Sequence, residues 1–243
     1  MPIRVIVNGA KGKMGSLACT TLATHPEFNL VAQLGRNDNL AATIKTSQAQ
    51  IVVDLTRADC VYENSLTIIE SGARPVIGAS GLGAEEVAEL NQRCQQQALG
   101  GIITPNFSIG AVLMMICAAK VAEYFPEVEI IEAHHQQKLD APSGTALKTA
   151  EMIASARQLP KNELALKELI PGARGGAYEG INLHSLRLPG ILARQEVLFG
   201  SQGESLSITH NSLDRQCFMP GIVLACQKVM QLNHLVYGLE SVL

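Results

Sequence analysis

The stretch that decides the fold is IRVIVNGAKGKMG, residues 3–15. It begins with a short β-branched run, and a helical pattern follows from about residue 12 to residue 23. Glycines at a strand-to-helix turn allow a tight turn and a close approach of the backbone to a pyrophosphate, which a helix N-terminus attracts. The spacing G-x-x-G-x-x-G differs from the usual G-x-G-x-x-G, so an ordinary glycine-rich turn remains open. Its place in the first strand–helix unit favours dinucleotide binding.

Further short apolar runs alternate with helical patterns within the first hundred residues. The runs lie at 30–34, 51–55, 75–78 and 101–104, and the helical patterns lie at 61–71 and 84–98. Apolar strands that alternate with helices are typical of a parallel sheet buried on both faces. The sequence therefore predicts an α/β domain built on a parallel sheet.

The pattern changes after residue 106. A helix is predicted over 109–123, a strand over 128–132 and a second helix over 144–157, and strand-like segments follow at 181–188, 193–199 and 205–210. Strands without intervening helices are typical of an α+β domain with a mixed or antiparallel sheet. A last helix, opened by Pro220, is expected to return to the first domain. We therefore expect one domain from residues 1–106 and 216–243 and a second domain from residues 107–215.

The composition narrows the class of protein. Of 243 residues, 47% are hydrophobic and 17% are charged, and the net charge is −3 with no long run of Lys or Arg. This balance is typical of a globular protein and argues against binding to nucleic acid or to a membrane surface. The six cysteines form no C-x-x-C pair and are expected to be free thiols in a reducing compartment. With no signal-peptide pattern and no apolar run of membrane-spanning length, a cytoplasmic protein is expected.

A second polar motif, EAHHQQKLDAPSGT, occupies residues 132–145. A histidine such as His134 can donate a proton near neutral pH, and Lys138 can supply a positive charge. The turn at 143–145 opens a helix, whose N–H groups can hold a carboxylate. Two other interpretations stay open, namely a strand that ends in exposed histidines before an ordinary capped helix, and a metal site. Because no third ligand follows at a useful spacing, we expect no metal.

Together, the two motifs resemble those of the 4-hydroxy-tetrahydrodipicolinate reductase (dihydrodipicolinate reductase) family of bacterial lysine and diaminopimelate biosynthesis. The family pattern E-x-H-H-x-x-K-x-D-A-P-S-G-T-A is matched at residues 132–146. The resemblance also covers residues 9–15, 54–56, 78–81, 105–110 and 208–210, so it runs nearly from end to end. It implies a Rossmann-like parallel-sheet cofactor domain and an α+β domain for substrate binding and tetramerisation.

The resemblance also implies which residues hold the cofactor. The pyrophosphate and adenosine side would be held by Gly9, Lys11, Gly12, Lys13 and Met14. Gly78 and Ser80 would hold the nicotinamide ribose. Thr104, Asn106 and Phe107 would line the nicotinamide pocket.

For the chemistry, the resemblance implies that His134 is the acid and Lys138 is its partner. The two carboxylates of the substrate would be held by His135, Lys138, Ser143, Gly144 and Thr145. Hydride would move from NAD(P)H to C4 of (4S)-4-hydroxy-tetrahydrodipicolinate, or of its dehydrated form, and a proton would follow. A homotetramer is expected, with this small dicarboxylate imine as the ligand besides the cofactor.

The end of the second strand bears on cofactor choice. Many relatives place an acid there, and such an acid accepts hydrogen bonds from the ribose 2′-OH of NADH and repels a 2′-phosphate. This chain has Gly35, followed by Arg36, with Lys11 and Lys13 in the nearby glycine turn. We therefore expect NADPH to be preferred and NADH to be usable. Asp38 argues for NADH instead, because its carboxylate could reach the ribose 2′-OH.

Two alternatives from other classes remain at this point. One is a different two-domain nicotinamide-dependent reductase, against which the string at 132–145 argues. The other is a non-catalytic nucleotide sensor on a Rossmann scaffold. A sensor would need neither an acid nor a carboxylate site, and it would carry a partner-binding element that the charge balance does not indicate.

Overall fold

The chain folds into two units in a computed structural model that describes residues 1–158 and 167–243. The first unit comprises Met1–Ile109 and Arg215–Leu243, and the second comprises Gly110–Asp214. Within the described residues, no helix is long and apolar enough to cross a membrane.

Strands and helices alternate through the first unit, whereas the second unit ends in four successive strands. In chain order they are β1 (Ile3–Asn8), α1 (Lys13–Thr24), β2 (Phe28–Leu34), α2 (Leu40–Ser47), β3 (Ile51–Asp54), α3 (Val61–Glu70), β4 (Arg74–Ile77), α4 (Ala84–Gln96), β5 (Gly101–Ile103), α5 (Ile109–Val121), β6 (Glu127–His134), α6 (Gly144–Ala156), β7 (Gly176–Tyr178), β8 (Ile181–Arg187), β9 (Ala193–Ser201), β10 (Glu204–Ser212), α7 (Met219–Val229) and β11 (Leu235–Tyr237).

A six-stranded sheet in the order β11-β5-β4-β3-β1-β2 forms the first unit, and all its pairs are parallel. β-branched residues such as Val5, Ile6 and Val7 are fully buried in it. Because β2 and β3 lie on opposite sides of β1, the strand order reverses beside β1. In open α/β sheets, ligands bind in the crevice at the carboxyl ends of the strands where this reversal occurs. The glycine turn after β1 lies at that edge of the sheet.

A five-stranded mixed sheet in the order β10-β9-β6-β8-β7 forms the second unit. The central strand, β6, pairs with β8 in parallel and with β9 in antiparallel orientation. The core face of β6 belongs to a hydrophobic cluster that includes Ile130, Ile153 of α6 and Val197 of β9, all fully buried. The predicted fold class, a Rossmann-like unit and an α+β unit, is confirmed. The roles assigned to the two domains remain proposals.

Three elements are not indicated by the sequence patterns. These are α2, of which only Ile44 is buried, and the three-residue strands β7 and β11. The strand predicted over 128–132 also continues to His134. This extension places His134 on the strand itself, two residues after Glu132, so both side chains lie on the same face of β6.

A close approach between α7 and the segment after β5 gives a test of packing in the first unit. A Cβ on Gly221 would collide with the Phe107 carbonyl group. Helix propensity alone predicts that Gly221→Ala gains roughly 1 kcal/mol of stability. We expect the collision to reverse the sign, so that the free energy of unfolding in urea falls by about 1–3 kcal/mol.

Gly200→Ala is the control, because a Cβ there meets only the Cβ of Glu127 at 3.9 Å. It should leave the urea midpoint nearly unchanged. A Gly221→Ala protein more stable than the wild type would contradict the packing described here.

Candidate active site

The glycine turn after β1 leaves room only for glycine at two positions. Gly9 has a φ of +83°, and a Cβ on it would lie 2.7 Å from the Leu55 carbonyl oxygen. A Cβ on Gly15 would collide with the Gly9 carbonyl oxygen. The Gly9 N–H donates to the Leu34 carbonyl at 2.9 Å, which fixes the turn against the end of β2. Helix α1 is thereby held close against β1.

The N-terminus of α1 has no side-chain cap among the described residues. Gly12 is the N-cap residue, and its own N–H donates to the Gly9 carbonyl at 3.0 Å. The N–H groups of a first helical turn have no partner within the helix, and the helix dipole favours an anion there. Such a turn can accept a phosphate group.

A cavity of about 660 Å³ opens beside this turn. Its lining includes Gly9, Gly12 and two unpaired cations, Lys11 and Arg36, among the described residues. Asp38 also lines it, and its Oδ2 accepts the Gly35 N–H at 2.8 Å. A Cβ on Gly35 would lie 3.7 Å from the aliphatic chain of Lys11, so the ends of β2 and of the glycine turn meet here.

The predicted cofactor residues are thus partly brought together. Gly9, Lys11, Gly12 and Arg36 share the cavity lining. Lys13 and Met14 lie outside that lining, in the first turn of α1. The volume, the uncapped helix and the cations fit the phosphates of a dinucleotide.

A buried polar network that sequence reasoning missed lies under the same cavity. Asp54 is fully buried at the end of β3 and accepts the Asn8 amide at 3.1 Å and the Thr56 N–H at 2.9 Å. The Asn64 amide donates to the Thr56 hydroxyl at 3.1 Å. Burial raises the pKa of Asp54, although these hydrogen bonds oppose the rise. The network fixes the connection after β3, which forms one side of the cavity.

The segment after β5 is fixed by its own polar groups. The Thr104 hydroxyl donates to the Asn106 carbonyl at 2.9 Å, and the Asn106 side chain accepts the Ser108 N–H at 2.8 Å. Phe107 is buried, and its ring lies where a Cβ on Gly78 would be. The structure therefore brings Gly78 and Phe107 into contact.

Ser80, three residues after the end of β4, is exposed. Its hydroxyl is therefore accessible to a ligand, as the predicted ribose contact requires.

In the second unit, His134 is anchored by a buried acid. Its Nδ1 lies 2.5 Å from Oε2 of Glu132, which is fully buried on the core face of β6. Arg187 lies directly opposite His134 on β8, and its two terminal nitrogens donate to the two oxygens of Glu132 at 3.0 and 2.9 Å. Burial by itself would raise the pKa of Glu132, but the hydrogen bonds with His134 and Arg187 outweigh it and lower the pKa to about 2. Glu132 is thus an anion at neutral pH.

Sequence reasoning gave no role to Glu132 or Arg187. A signal for Glu132 was present, since residues 128, 130 and 132 alternate on the core face and an acid there needs a partner. For Arg187 no local signal exists, because its partner lies 55 residues away.

Lys138 follows β6 in a short connection to α6. Its ammonium donates to both carboxylate oxygens of Asp140, at 2.9 and 2.7 Å. This pair lowers the pKa of Asp140. Asp140 is exposed and Lys138 is only partly buried, so the pair can exchange with a carboxylate from a ligand.

The N-terminus of α6 lies after this connection. Ser143 is its buried N-cap, and the Ser143 hydroxyl accepts the Ala146 N–H at 3.2 Å. A Cβ on Gly144 would meet nothing within 4 Å, so the space beside the first helical turn is open. The Thr145 carbonyl accepts the Thr149 hydroxyl at 2.7 Å. His135 precedes the turn, and its buried Nδ1 has no partner in the described structure.

A parallel-sheet unit with a glycine turn at an uncapped helix N-terminus, and a second unit that carries an anchored histidine and an open helix N-terminus, are features of a two-unit nicotinamide-dependent oxidoreductase. Comparison with known proteins identifies the family. The family models for the N-terminus and the C-terminus of dihydrodipicolinate reductase match residues 3–107 and 110–243.

Individual proteins give the same result. The chain is 71% identical to 4-hydroxy-tetrahydrodipicolinate reductase of Legionella pneumophila and 52% identical to that of Coxiella burnetii, with 100% of both chains covered in each case. A dipicolinate-bound dihydrodipicolinate reductase from Paenisporosarcina sp. TG-14 matches with a TM-score of 0.92 and 42% identity over 100% of each chain. An amine dehydrogenase from Mycobacterium smegmatis, with 14% identity and a TM-score of 0.69 over 97% of this chain and 95% of that one, shares the fold alone.

The chain belongs to the dihydrodipicolinate reductase family. It reduces (4S)-4-hydroxy-2,3,4,5-tetrahydrodipicolinate to 2,3,4,5-tetrahydrodipicolinate with a nicotinamide cofactor, in lysine and diaminopimelate biosynthesis. The family and the enzyme class that the sequence indicated are confirmed. The nucleotide sensor and the unrelated reductase are no longer candidates.

The lowered pKa of Glu132 predicts how stability depends on pH. Its pKa is about 2 in the folded chain against an ordinary value of 4.5, so the ion pair stabilises the fold fully above about pH 4.5 and loses this effect as the pH falls towards 2. Glu132→Gln should therefore cost roughly 3 kcal/mol of unfolding free energy at pH 6. The difference from the wild type should shrink steadily between pH 4.5 and pH 3 in urea titrations.

The exposed Glu85, in the first turn of α4, supplies the control variant Glu85→Gln, which should change stability far less. A cost for Glu132→Gln that is the same at pH 6 and pH 3 would show that the charge of Glu132 does not stabilise the fold.

Proposed function

We propose that His134 donates the proton of the reaction and that the N-terminus of α6, with His135 and Lys138, holds the two carboxylates of the substrate. The observation that carries this proposal is the pairing of an anchored imidazole with an open helix N-terminus ten residues further on. His134 is fixed through Nδ1, and a Cβ on Gly144 would meet nothing within 4 Å beyond its chain neighbours and its own helix backbone.

The 4-hydroxyl group leaves as water, together with a hydrogen from the adjacent ring carbon. A bound nicotinamide cofactor would supply the hydride to C4 of the dehydrated ring. The ring then needs one proton, which His134 delivers from Nε2 because Nδ1 is engaged by Glu132. The Lys138 ammonium exchanges Asp140 for a substrate carboxylate, so its charge stays compensated in both states. Ser143 holds the first turn of α6 in place through its cap. The N–H groups of Gly144 and Thr145 in this turn bind a carboxylate of the substrate.

For the cofactor, we propose that Gly9, Gly12, Lys13 and Met14 bind the pyrophosphate side through the turn and the first turn of α1. Gly78 and Ser80 bind the nicotinamide ribose, and the nicotinamide pocket is lined by Thr104, Asn106 and Phe107. The contact between Gly78 and Phe107 supports this grouping.

NADPH is the preferred cofactor in this proposal. Lys11 and Arg36 line the same cavity and supply two positive charges for a 2′-phosphate. The carboxylate of Asp38, which could favour NADH, accepts the Gly35 N–H and so remains tied to its own loop. NADH stays usable because the pyrophosphate and nicotinamide contacts are common to both cofactors.

We further propose a homotetramer that forms through the sheet of the second unit. Large apolar side chains are partly exposed along its strands and their connections, with 38–46% of Tyr178, Leu186, Leu188 and Leu206 accessible. A cytoplasmic location is supported by the six cysteines, which are all free.

Replacement of the proposed acid gives the first test. A positioned general acid contributes about 10²–10⁴-fold, so His134→Gln should lower kcat by that factor while the Kd of NADPH changes little. The rate is measured as NADPH consumption with the cyclic imine generated by a coupled enzyme. His25→Gln, at the C-terminal end of α1, is the matched control. A wild-type kcat in His134→Gln would remove His134 from the chemistry.

The anion site of α6 is tested at Gly144. Gly144→Val places its side chain in open space, so the protein should fold, but the substrate carboxylate loses its approach to the helix N–H groups. Loss of one charge-assisted hydrogen bond weakens binding by about tenfold or more. Calorimetry should show this loss for dipicolinate and none for NADPH.

Gly200→Val, on β9, is the control, because a Cβ there meets only the Cβ of Glu127 at 3.9 Å. Dipicolinate affinity in Gly144→Val equal to that of the wild type would place the carboxylate site elsewhere.

Cofactor choice is tested at Arg36. Arg36→Ala should weaken NADPH binding by about tenfold or more and leave NADH nearly unchanged, since only NADPH carries the 2′-phosphate. Arg57 also lines the cavity but pairs with Asp59 at 3.0 Å, so Arg57→Ala should not discriminate between the cofactors. If the wild type binds NADH as tightly as NADPH, then Asp38 or another group controls the pocket.

A further inference from the structure

The guanidinium of Arg187 uses all of its hydrogen-bond donors within the protein. An arginine has five N–H donors in a rigid plane. Those of Arg187 meet both oxygens of Glu132 and three main-chain carbonyls, of Leu186 at 2.7 Å, Lys138 at 3.3 Å and Asp140 at 2.5 Å. Every donor therefore has an acceptor within the protein.

Two of these carbonyls belong to the connection that carries Lys138. Arg187 thus holds a strand residue, Glu132, and the backbone on both sides of Leu139 at the same time. The ammonium of Lys138 provides no such link among the described residues, because it pairs with Asp140 inside the same connection.

The carboxylate of Glu132 also contacts the imidazole of His134. It is an anion and can only accept hydrogen bonds, so the proton between it and His134 lies on Nδ1. The other nitrogen, Nε2, is left as the one that faces away from Glu132. One ion pair therefore fixes both the tautomer of His134 and the backbone position of Lys138.

We propose that Glu132 and Arg187 are positioning residues for the reduction: Glu132 fixes the ring of His134 with Nε2 outward, and Arg187 holds Glu132 and the Lys138 connection in one frame. This inference rests on the proposed function, in which His134 and Lys138 meet the substrate. Proton transfer and carboxylate binding must act on the same substrate ring. The relative positions of His134 and Lys138 are therefore important, because small misplacements of reacting groups reduce rates strongly.

Arg187 could instead bind a substrate carboxylate directly, as an arginine in an anion site often does. Its five donors are already used, and its side chain is only 19% exposed. A substrate contact would require breaking the bonds to the buried Glu132. The contacts therefore favour positioning over direct binding.

The first experiment measures the tautomer of His134 by ¹⁵N NMR in the substrate-free protein at pH 8.5, with the signal assigned from its loss in His134→Gln. The wild type should show Nδ1–H. In Glu132→Gln the side-chain amide can donate to Nδ1, so the Nε2–H form should appear. A wild type with Nε2–H would overturn the proposal without any variant having to fold.

The second experiment measures kinetics in the same variant. Glu132→Gln should lower kcat at least tenfold while the Kd values of NADPH and dipicolinate stay within about threefold. Glu129→Gln is the matched control, because Glu129 lies on the same strand and also contacts an arginine and a histidine, Arg174 and His184. It should keep the wild-type kcat and the Nδ1–H form of His134.

Arg187→Lys tests whether Arg187 holds Glu132 and the Lys138 connection together. A lysine keeps the charge but has three donors, too few for Glu132 and the two connection carbonyls. Both a lower kcat and a raised KM for the imine are expected, because the ring and the Lys138 connection are released together. Arg174→Lys should change neither.

A kcat and tautomer in Glu132→Gln equal to those of the wild type would overturn the proposal, and so would wild-type kcat and KM in Arg187→Lys. The tautomer is measured without substrate, whereas the role of His134 as the acid is tested by the activity of His134→Gln. Failure of the positioning inference and failure of the proposed function are therefore distinguishable.

Discussion

A fully buried carboxylate in the middle of the second sheet is the constraint on which the site depends. Desolvation makes an isolated Glu132 anion unfavourable, so its position is tenable only with Arg187 on the adjacent strand and His134 two residues along its own strand. Each partner is thereby fixed as well. The parallel pairing of β6 with β8 brings the acid and the guanidinium together, and the guanidinium in turn holds the connection to α6. The sheet of this unit thus positions the residues that we propose for the chemistry.

Much of the fold could be predicted because its signals are local. The strands of the first sheet are short β-branched runs, and the glycine turn follows the first of them within two residues. β11 has only three residues and pairs with β5, more than 130 positions away, so nothing nearby indicates it. For α2 a weak signal existed, since Asn39 caps it by accepting the Ala42 N–H, but just one of its residues is buried and the apolar periodicity is faint.

In the candidate site, too, some residues could be predicted from the sequence and others could not. The polar residues of the string at 132–145 could be named from the sequence because they are contiguous and carry a helix start. Their partners could not, since Arg187 is a lone arginine at the end of an ordinary strand pattern. Lys138 could be named as a cation, but its pair with Asp140 depends on the bend of the connection. Sequence indicated which groups are present, and strand register determined which groups meet.

The most direct test of the central claim is a crystal structure of the protein with dipicolinate bound. The claim predicts that a ligand carboxylate accepts N–H groups of Gly144 and Thr145, that Nε2 of His134 faces the ring, and that Arg187 keeps both bonds to Glu132. An Arg187 guanidinium turned away from Glu132 and bonded to the ligand carboxylate would contradict it, because the buried acid would then serve neither to fix His134 nor to hold the connection after β6.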